Sequence, residues 1–570
     1  MMPSRAKRGY CTLTTKYGKR KRYRKGEDIM ASKSRNQLIM EAATSYLSTL
    51  NPGSLPCAAD MESELLEYAN DQIELANASI LSKDRKYKML SSLPARTIAQ
   101  IILRFYPVAN LKLEGGTKAL AVYCGSGKNK GLYDMDEDAI KRIIEQYGAD
   151  MSEKEISDVF AKLERNAPFL SLTKNKDLIP VNNGVFDYEK KLLLDFSPDM
   201  VFTSKCGVDY NPSAQNITIH NPEDGTDWDV ESWMLSLSDD LEIVNLLWEI
   251  TGACIRPNVV WDKSAWLFDA NGNNGKGTLC RMMQNLCGED SCDSISVEDF
   301  GTDAFLENLM RKTAIICDEN NVGTYLDKAK NFKKAVTGDP ITINRKYRST
   351  VKFRFCGFIV QCMNALPKVK DRSESFNRRL IIIPMTKCFT GIERKYIKED
   401  YLGRREVLEY VLHKVLHMNY HSLSEPKICR ELVAEFKVYN DPLAEFWNDF
   451  RGQFVWDLLP FAFLYDLFRE WSRRFCPSGK IIGHNSFCRE LRKLAANDME
   501  WEAPETPSTT GRKLDRPEPL IDEYNVKGWQ NPNVCAVYTL QRQHTKSSYR
   551  GLVRKLPPVC PSNADGCEEH

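Results

Sequence analysis

The sequence predicts an α/β protein built on a parallel sheet. A mixed helical and α+β region precedes the sheet, and a separate, helix-rich unit follows it. Three observations predict this. Between about residues 236 and 385, short apolar strands ("SAWLFDA", "RKTAIICDENN", "FIVQCMNALP", "RRLIIIPM") alternate with helical segments, the pattern of a parallel α/β core. Ahead of them, "NQLIMEAATSYLSTL" and "MESELLEYANDQIELANASIL" space their apolar residues by three and four, as helices do. Behind them, "AEFWNDFRG", "LPFAFLYDLFREWSRRF" and "HNSFCRELRKLA" read as helices, and the Pro-rich "APETPSTTGRKLDRPEP" interrupts the unit.

Taken in order, the chain divides into six stretches. Residues 1–29 hold a basic arm, with ten Lys/Arg and no acid among residues 1–25; since the chain nets +2, the rest nets −8. The arm reads either as a nucleic-acid-binding tail or as non-native sequence ahead of a start at Met30. Residues 30–110 read as helical, with a turn at Asn51-Pro52-Gly53. In 111–235, "ALAVYC" and "LLLDF" are strand-like, "EDAIKRIIEQYG" is a helix closed by Gly148, and "VNNGVFDYEKKLLLDF" suggests a hairpin around Glu189-Lys190-Lys191. The sheet-bearing core spans 236–400, a helical connector 401–439, and the last unit 440–570.

Composition excludes several classes. At 570 residues and 42% apolar, the chain has ample material for large cores. Its 18 cysteines are scattered, with no Cys-x-x-Cys pair and no Cys/His quartet at zinc spacing. The basic N-terminus has no apolar segment after it, and no apolar run approaches the roughly 20 residues that span a bilayer. The expectation is a soluble intracellular protein with reduced cysteines and no membrane partner.

The chemistry-bearing residues fall in four elements. "NGNNGKGTLC", residues 271–280, lies between a strand and a helix closed by Gly288. That is the setting of a phosphate loop, in which backbone N–H groups and a helix N-terminus face the anion. Gly272, Asn273, Asn274, Gly275, Lys276, Gly277 and Thr278 would form the cradle, with Lys276 on the outer phosphates. Two positions depart from the usual pattern: Gly277 stands where Ser or Thr is expected, and Ala270 where Gly is. The second element is the strand that ends in Asp318-Glu319. Asp318 would hold Mg²⁺ and Glu319 would polarise an attacking water. The third ends in Asn364, an amide able to orient that water. The fourth is Arg378-Arg379, suited to neutralise transition-state charge in a neighbouring subunit.

These four elements, in this order, resemble superfamily 3 helicases, specifically the phage/plasmid primase–helicase group related to the poxvirus primase-helicase. Asn274-Gly275-Lys276 matches that group's loop core, and Gly277-Thr278 its rarer Gly-Thr continuation. "KKAVTGDPITINRKYRSTVKF", 333–353, matches the stretch ahead of its DNA-binding hairpin, which would put Arg345, Lys346, Tyr347 and Arg348 near the tip. Basic side chains there would grip phosphates, and the tyrosine would stack on a base. The resemblance covers roughly residues 110–560.

It implies an AAA+-like motor over 236–400 and a winged-helix-like domain over 440–570. The function implied is ATP-dependent replicative unwinding for a phage, plasmid or integrated mobile element. The motor would work with ATP and Mg²⁺ as a ring, a hexamer by the resemblance, on single-stranded and forked DNA in a bacterial cytoplasm. Further partners would be a separate primase or an origin-binding protein. Thr278 or a water would join Asp318 in supplying Mg²⁺ oxygens, because Gly277 has no hydroxyl. The region before the motor is short for a primase domain as well, so primer synthesis is not expected. A non-enzymatic initiator or loader is the rival reading, and intact Glu319 argues against it. Two other clusters have ordinary readings. His413, His417 and His421 would share a face if one helix ran through them, but no acid or Cys completes a zinc site. Asp134 and Asp136 stand just before a helix, where negative charge is favourable.

Overall fold

A computed structural model describes residues 33–51, 56–80, 86–148, 150–323, 325–344, 350–371, 373–475, 481–496, 498–530 and 546–555. The basic arm and the Asn51-Pro52-Gly53 turn lie wholly or largely outside them.

The central sheet has five strands: β1 (Ser264–Phe268), β2 (Cys292–Asp293), β3 (Ala314–Cys317), β4 (Phe358–Met363) and β5 (Leu380–Pro384). Their order across the sheet is β2-β3-β4-β1-β5, and every neighbouring pair is parallel. Strand β1 is therefore interior, and its near-continuous apolar run suits a strand covered on both faces. Alternation along the strands sorts their side chains into two cores. Ala265, Leu267, Ile316, Val360 and Ile383 face one; Trp266, Ile315, Ile359 and Ile382 face the other.

The first core also takes in Ile179, Phe186, Trp228 and Trp233 from ahead of the sheet, and Leu412, Val415 and Leu416 from behind it. A single packed cluster thus crosses the divisions at 235/236 and 400/401 drawn from the sequence. Ahead of it, the helices Arg35–Thr49, Ala58–Ala78 and Ala95–Phe105 precede a four-stranded sheet. That sheet runs Tyr133–Asp134, Lys118–Tyr123, Val108–Lys112, Phe169–Ser171. The hairpin expected at Glu189–Lys191 is present, with Gly184–Asp187 paired to Leu192–Leu194 and Lys191 at φ 56°.

The C-terminal unit has its own core. Helix Pro442–Phe450 is followed by strand Leu458–Pro460, helices Phe461–Phe475 and His484–Ala496, strand Trp501–Glu502 and, after a long excursion, strand Gly551–Arg554 between the other two. Leu459 and Pro460, which the sequence pattern assigns to the helix, belong to the strand instead: Leu459 pairs with Leu552 and Pro460 with Gly551 at the sheet edge. No helix among the described residues is long and apolar enough to cross a membrane.

Trp266 has no exposed surface and packs against the rings of Phe332, Phe376 and Phe436 at centroid distances of 6.3, 6.3 and 5.7 Å. Trp266→Ala should remove about 3–5 kcal/mol of stability, measured as a lowered urea midpoint. A loss under about 1 kcal/mol would mean that the face of the sheet bearing Trp266 is not closely packed.

Candidate active site at the carboxyl edge of the sheet

The loop between β1 and the helix Lys276–Cys287 is held by its own side chains. Asn274 is buried, and its amide donates to Asp269 Oδ2 at 2.8 Å and to the Asn271 carbonyl at 2.7 Å. Asn273, at φ 54°, donates to Glu393 Oε1 at 2.9 Å, and its carbonyl accepts from Phe389 N at 2.7 Å. Gly275 sits at φ 85°, where a Cβ would also lie 2.7 Å from Leu237 Cδ2. Both conformation and space require glycine there. Gly272 has neither constraint. Lys276 is 6% exposed and reaches back across the loop, its Nζ 3.1 Å from the Asp269 carbonyl oxygen. Burial pulls its pKa below the usual lysine range, and nearby Cys362, Asp269 and Asp318 oppose that shift.

Asp318 follows the last residue of β3 and lies against Gly277. A Cβ on Gly277 would stand 2.8 and 2.9 Å from the two Asp318 carboxylate oxygens and 3.1 Å from Lys398 Nζ. A serine or threonine there would require the half-exposed Asp318 carboxylate to shift. Lys398, on the short helix Lys395–Glu399, lies 3.5 Å from Asp318 Oδ2. Both partners are about two-fifths exposed, so the pair contributes little to stability. Glu319 is exposed beside Asp318. Asn320 fixes the turn by donating to Gln361 Oε1 at 3.0 Å and to the Cys362 carbonyl at 2.9 Å.

Asn364 is exposed at the end of β4, next to Met363, whose carbonyl accepts from Asp269 N at 3.2 Å. The loop, Asp318-Glu319 and Asn364 therefore meet at one edge, the carboxyl ends of β1, β3 and β4. The two arginines do not join them. Leu380 pairs with Ser264, the first residue of β1, so Arg378 and Arg379 stand at the opposite edge, roughly 15 Å along the strand from their own loop. They also differ from each other. Arg379 is 9% exposed and its NH1 donates to the Ser375 carbonyl and, at 3.0 Å, to Ser375 Oγ. Arg378 is exposed.

The hairpin stems are present, with Ile341–Ile343 antiparallel to Val351–Phe353. Arg345, Lys346, Tyr347 and Arg348 lie outside the described residues. The foot of the hairpin rests on the N-terminal region: Arg354 Nε is 2.6 Å from Glu114 Oε1, and Thr117 Oγ1 donates to the Lys352 carbonyl at 3.2 Å.

Sequence reasoning missed three parts of this site. Asp269 orients Asn274, yet a lone acid after a strand carries no motif. Lys398 lies some 120 residues beyond the loop, within no recognisable pattern. The third is a cavity of about 630 Å³ beside Gly275 and Thr278, walled by Trp228, Trp233, Phe389 and Ile397; its walls come from segments on either side of the sheet region. The histidine face fails as a unit. The helix Arg405–His417 ends at His417, and His421 instead meets Asp177 Oδ1 at 3.0 Å. His413 and His417 stack at 4.1 Å beside Tyr210. Asp136 is the N-cap of the helix Glu137–Glu145, its side chain accepting from Asp138 N.

Fold and site thus define a protein with Lys276, Asp318, Glu319 and Asn364 gathered at the carboxyl edge of a parallel sheet, around a glycine-rich loop. Residues 83–229 match the family described as "D5 N terminal like", and residues 439–526 the one described as "Poxvirus D5 protein-like". Residues 268–379, from the end of β1 to Arg379, match a family of unknown function, DUF5906. A candidate helicase of Acanthamoeba polyphaga mimivirus is 21% identical over 383 residues, which is 60% of this chain and 38% of that protein. The chain thus spans under two-fifths of that relative's length. The chain is thus similar to D5-type families over two separate stretches and to a viral candidate helicase over a longer one. The apo NrS-1 C-terminal region (305–718) aligns at 14% identity over 73% of this chain and 96% of that one, with a TM-score of 0.37. A second apo structure of that region aligns at 12%, over 74% and 98%, with the same TM-score.

Burial, and then His417, hold the His413 imidazole below its usual 6.5. As pH falls through that range the unfolded chain takes the proton first, so this contribution, present above pH 6.5, is lost as pH falls through the lower native value. The urea midpoint should drop between pH 7 and pH 5, and less steeply in His413→Gln. An equal slope in the variant would locate the acid sensitivity elsewhere.

Proposed function

We propose that this chain is an ATP-dependent replicative DNA helicase of a phage, plasmid or integrated mobile element, with an AAA+-like motor that works as a ring on single-stranded DNA. The observation that carries the reading is the convergence of Lys276, Asp318-Glu319 and Asn364 at the carboxyl edge of a sheet with order β2-β3-β4-β1-β5. Ligands of open α/β sheets bind at that edge.

The donor set fits Mg·ATP. The first turn of the helix Lys276–Cys287 offers phosphate N–H groups that have no helical partner. The Asp318 carboxylate and the Thr278 hydroxyl are the hard oxygen donors that Mg²⁺ takes, and the ion would neutralise phosphate charge there. Lys276 leaves the Asp269 carbonyl to meet the outer phosphates. Glu319 accepts a proton from the attacking water and Asn364 orients it. Lys398, released from Asp318, is a further cation within reach of the phosphates. Arg378, exposed at the far edge, suits a neighbour's site; Arg379, bonded within its own chain, does not. The helix–strand–helix–helix–strand succession of residues 442–502, with Gly551–Arg554 pairing between its two strands, supports a winged-helix reading and duplex contact by that unit.

Lys276→Ala should abolish ATP hydrolysis. Glu319→Gln should bind ATP normally and turn it over about 10²-fold or more slowly. Parental turnover by Glu319→Gln would sink the assignment of the water-activating group. Mixing inactive Lys276→Ala with Arg378→Ala subunits should restore part of the ATPase, because some interfaces are then intact. The same mixture with Arg379→Ala should restore none, and no recovery with either would rule out action in trans.

Lys346→Ala with Arg348→Ala should keep basal ATPase and lose unwinding. It should also flatten the salt dependence of single-strand binding by about 0.7 in log–log slope per lost contact. An unchanged slope would remove the hairpin as the DNA grip and favour the C-terminal unit.

A further inference from the structure

Beneath the candidate phosphate loop, two thiols and a carboxylate converge. Cys280, on the second turn of the helix Lys276–Cys287, is fully buried, and Cys362 on β4 is 2% exposed. Their Sγ atoms are 3.3 Å apart, well beyond the roughly 2.05 Å of a disulfide. The Asp318 carboxylate completes the group, and one ligand atom from each residue lies within 4.8 Å of the others. Contact with Cys362, and then burial, push the Cys280 thiol above its usual range.

We infer that Cys280, Cys362 and Asp318 form a site for a borderline or soft divalent cation, Zn²⁺ above all, whose occupation withdraws Asp318 from the hard cation that accompanies ATP. The inference deepens the proposed ATP site and rests on it for the inhibitory consequence alone. Ligand chemistry supports the choice of ion. Thiolates select zinc over Mg²⁺, which takes oxygen donors. Two thiolates on a tetrahedral zinc stand roughly 3.8 Å apart at Zn–S bonds of about 2.3 Å, so the pair has only to open by roughly half an ångström. A water fills the fourth position, as in open three-ligand sites.

Charge also balances. Two thiolates and a carboxylate carry three negative charges, a divalent cation leaves one, and the Lys276 ammonium is close enough to feel both thiols and Asp318. The two thiol protons leave to solvent as the metal enters. Asp318, 44% exposed, gives the route in. Occupation then ties the helix that begins at Lys276 to β3 and β4 through one ion, with Asp318 turned away from Gly277 and Lys398.

The test uses the full chain, kept reduced by a phosphine and freed of metal by chelation. Co²⁺ titrated into it should give a thiolate-to-cobalt charge-transfer band that saturates at one equivalent and is displaced by Zn²⁺. Cys280→Ser with Cys362→Ser should lose that band, and Asp318→Asn should weaken binding by more than about 100-fold, beyond what outer-shell changes cost. In the same reduced buffer, Zn²⁺ should inhibit the ATPase of the parent reversibly, with inhibition relieved by chelator and weakened by added Mg²⁺. The double serine variant should keep its ATPase and resist zinc; Cys362→Ser alone serves if the double variant has a lowered urea midpoint.

A cobalt band that survives in the serine variants would assign the metal to other cysteines and overturn the site. So would inhibition that needs an oxidant and is reversed by reductant, which would make the pair a disulfide switch. A chain that shows the band but hydrolyses no ATP would keep the cation site and remove the ATPase reading, so the two failures are distinguishable.

Discussion

The interior position of β1 is the constraint on which the rest depends. Strand β1 is paired in parallel on both sides and covered on both faces, so none of its backbone or side-chain polarity can reach water along its length. Polar groups must emerge where the strands stop. Phe268 is level with Met363, and β3 ends level with Gln361, so Asp269, Asp318 and Asn364 come out together. The grouping of the candidate site is therefore a consequence of strand register. A one-residue slip of β3 against β4 would swap its inward faces between the two cores and carry Asp318 away from Gly277.

Much of this was legible in the sequence because it is local. Four of the five core strands announced themselves as short apolar runs, and the two-residue β2, Cys292–Asp293, did not; the polar residue that ends a run could be read off directly: Asp318 after "AIIC", Asn364 after "FIVQCM". The loop and its helix were equally plain. What escaped is what long-range packing decides. Nothing local separates Arg378 from Arg379; the turn of the short helix Glu374–Asn377 buries one against Ser375 and leaves the other in solvent. Lys398 reaches Asp318 only because the chain returns over the loop after β5. The histidine spacing was real, but periodicity cannot show that the helix ends at His417. Likewise Leu459-Pro460 continues an apolar pattern into a helix, and only pairing with Leu552 and Gly551 makes it a strand.

Gly277 shows how a departure from a motif can be a steric statement. A phosphate loop usually carries a hydroxyl at that position, and its loss removes an oxygen ligand. In return, the missing Cβ lets the Asp318 carboxylate settle against the first turn of the helix, within 3 Å of where that Cβ would stand. There the positive end of the helix favours negative charge. The carboxylate is then held against the helix rather than across a gap. Cys280 lies one turn further along the same helix, which is why its thiol, the Cys362 thiol and the Asp318 carboxylate come within reach of one another.

The loop's shape also depends on chain segments outside the sheet. Leu237 packs on Gly275, and the 389–393 segment holds Asn273 from the other side. Leu237 is in turn part of the cluster that includes Phe186, Trp228 and Trp233. Backbone contacts reinforce the joint: Gly207 N donates to the Leu286 carbonyl at 3.1 Å, and a Cβ on Gly207 would lie 2.9 Å from Gly288 Cα. Two glycines thus meet back to back at the end of the very helix that begins with Lys276. The residues before 236 are therefore a wall of the loop's surroundings. Cutting the chain at 235/236 would expose Leu237 and the floor of the cavity, and would leave Gly275 in its left-handed conformation without the side chain packed against it.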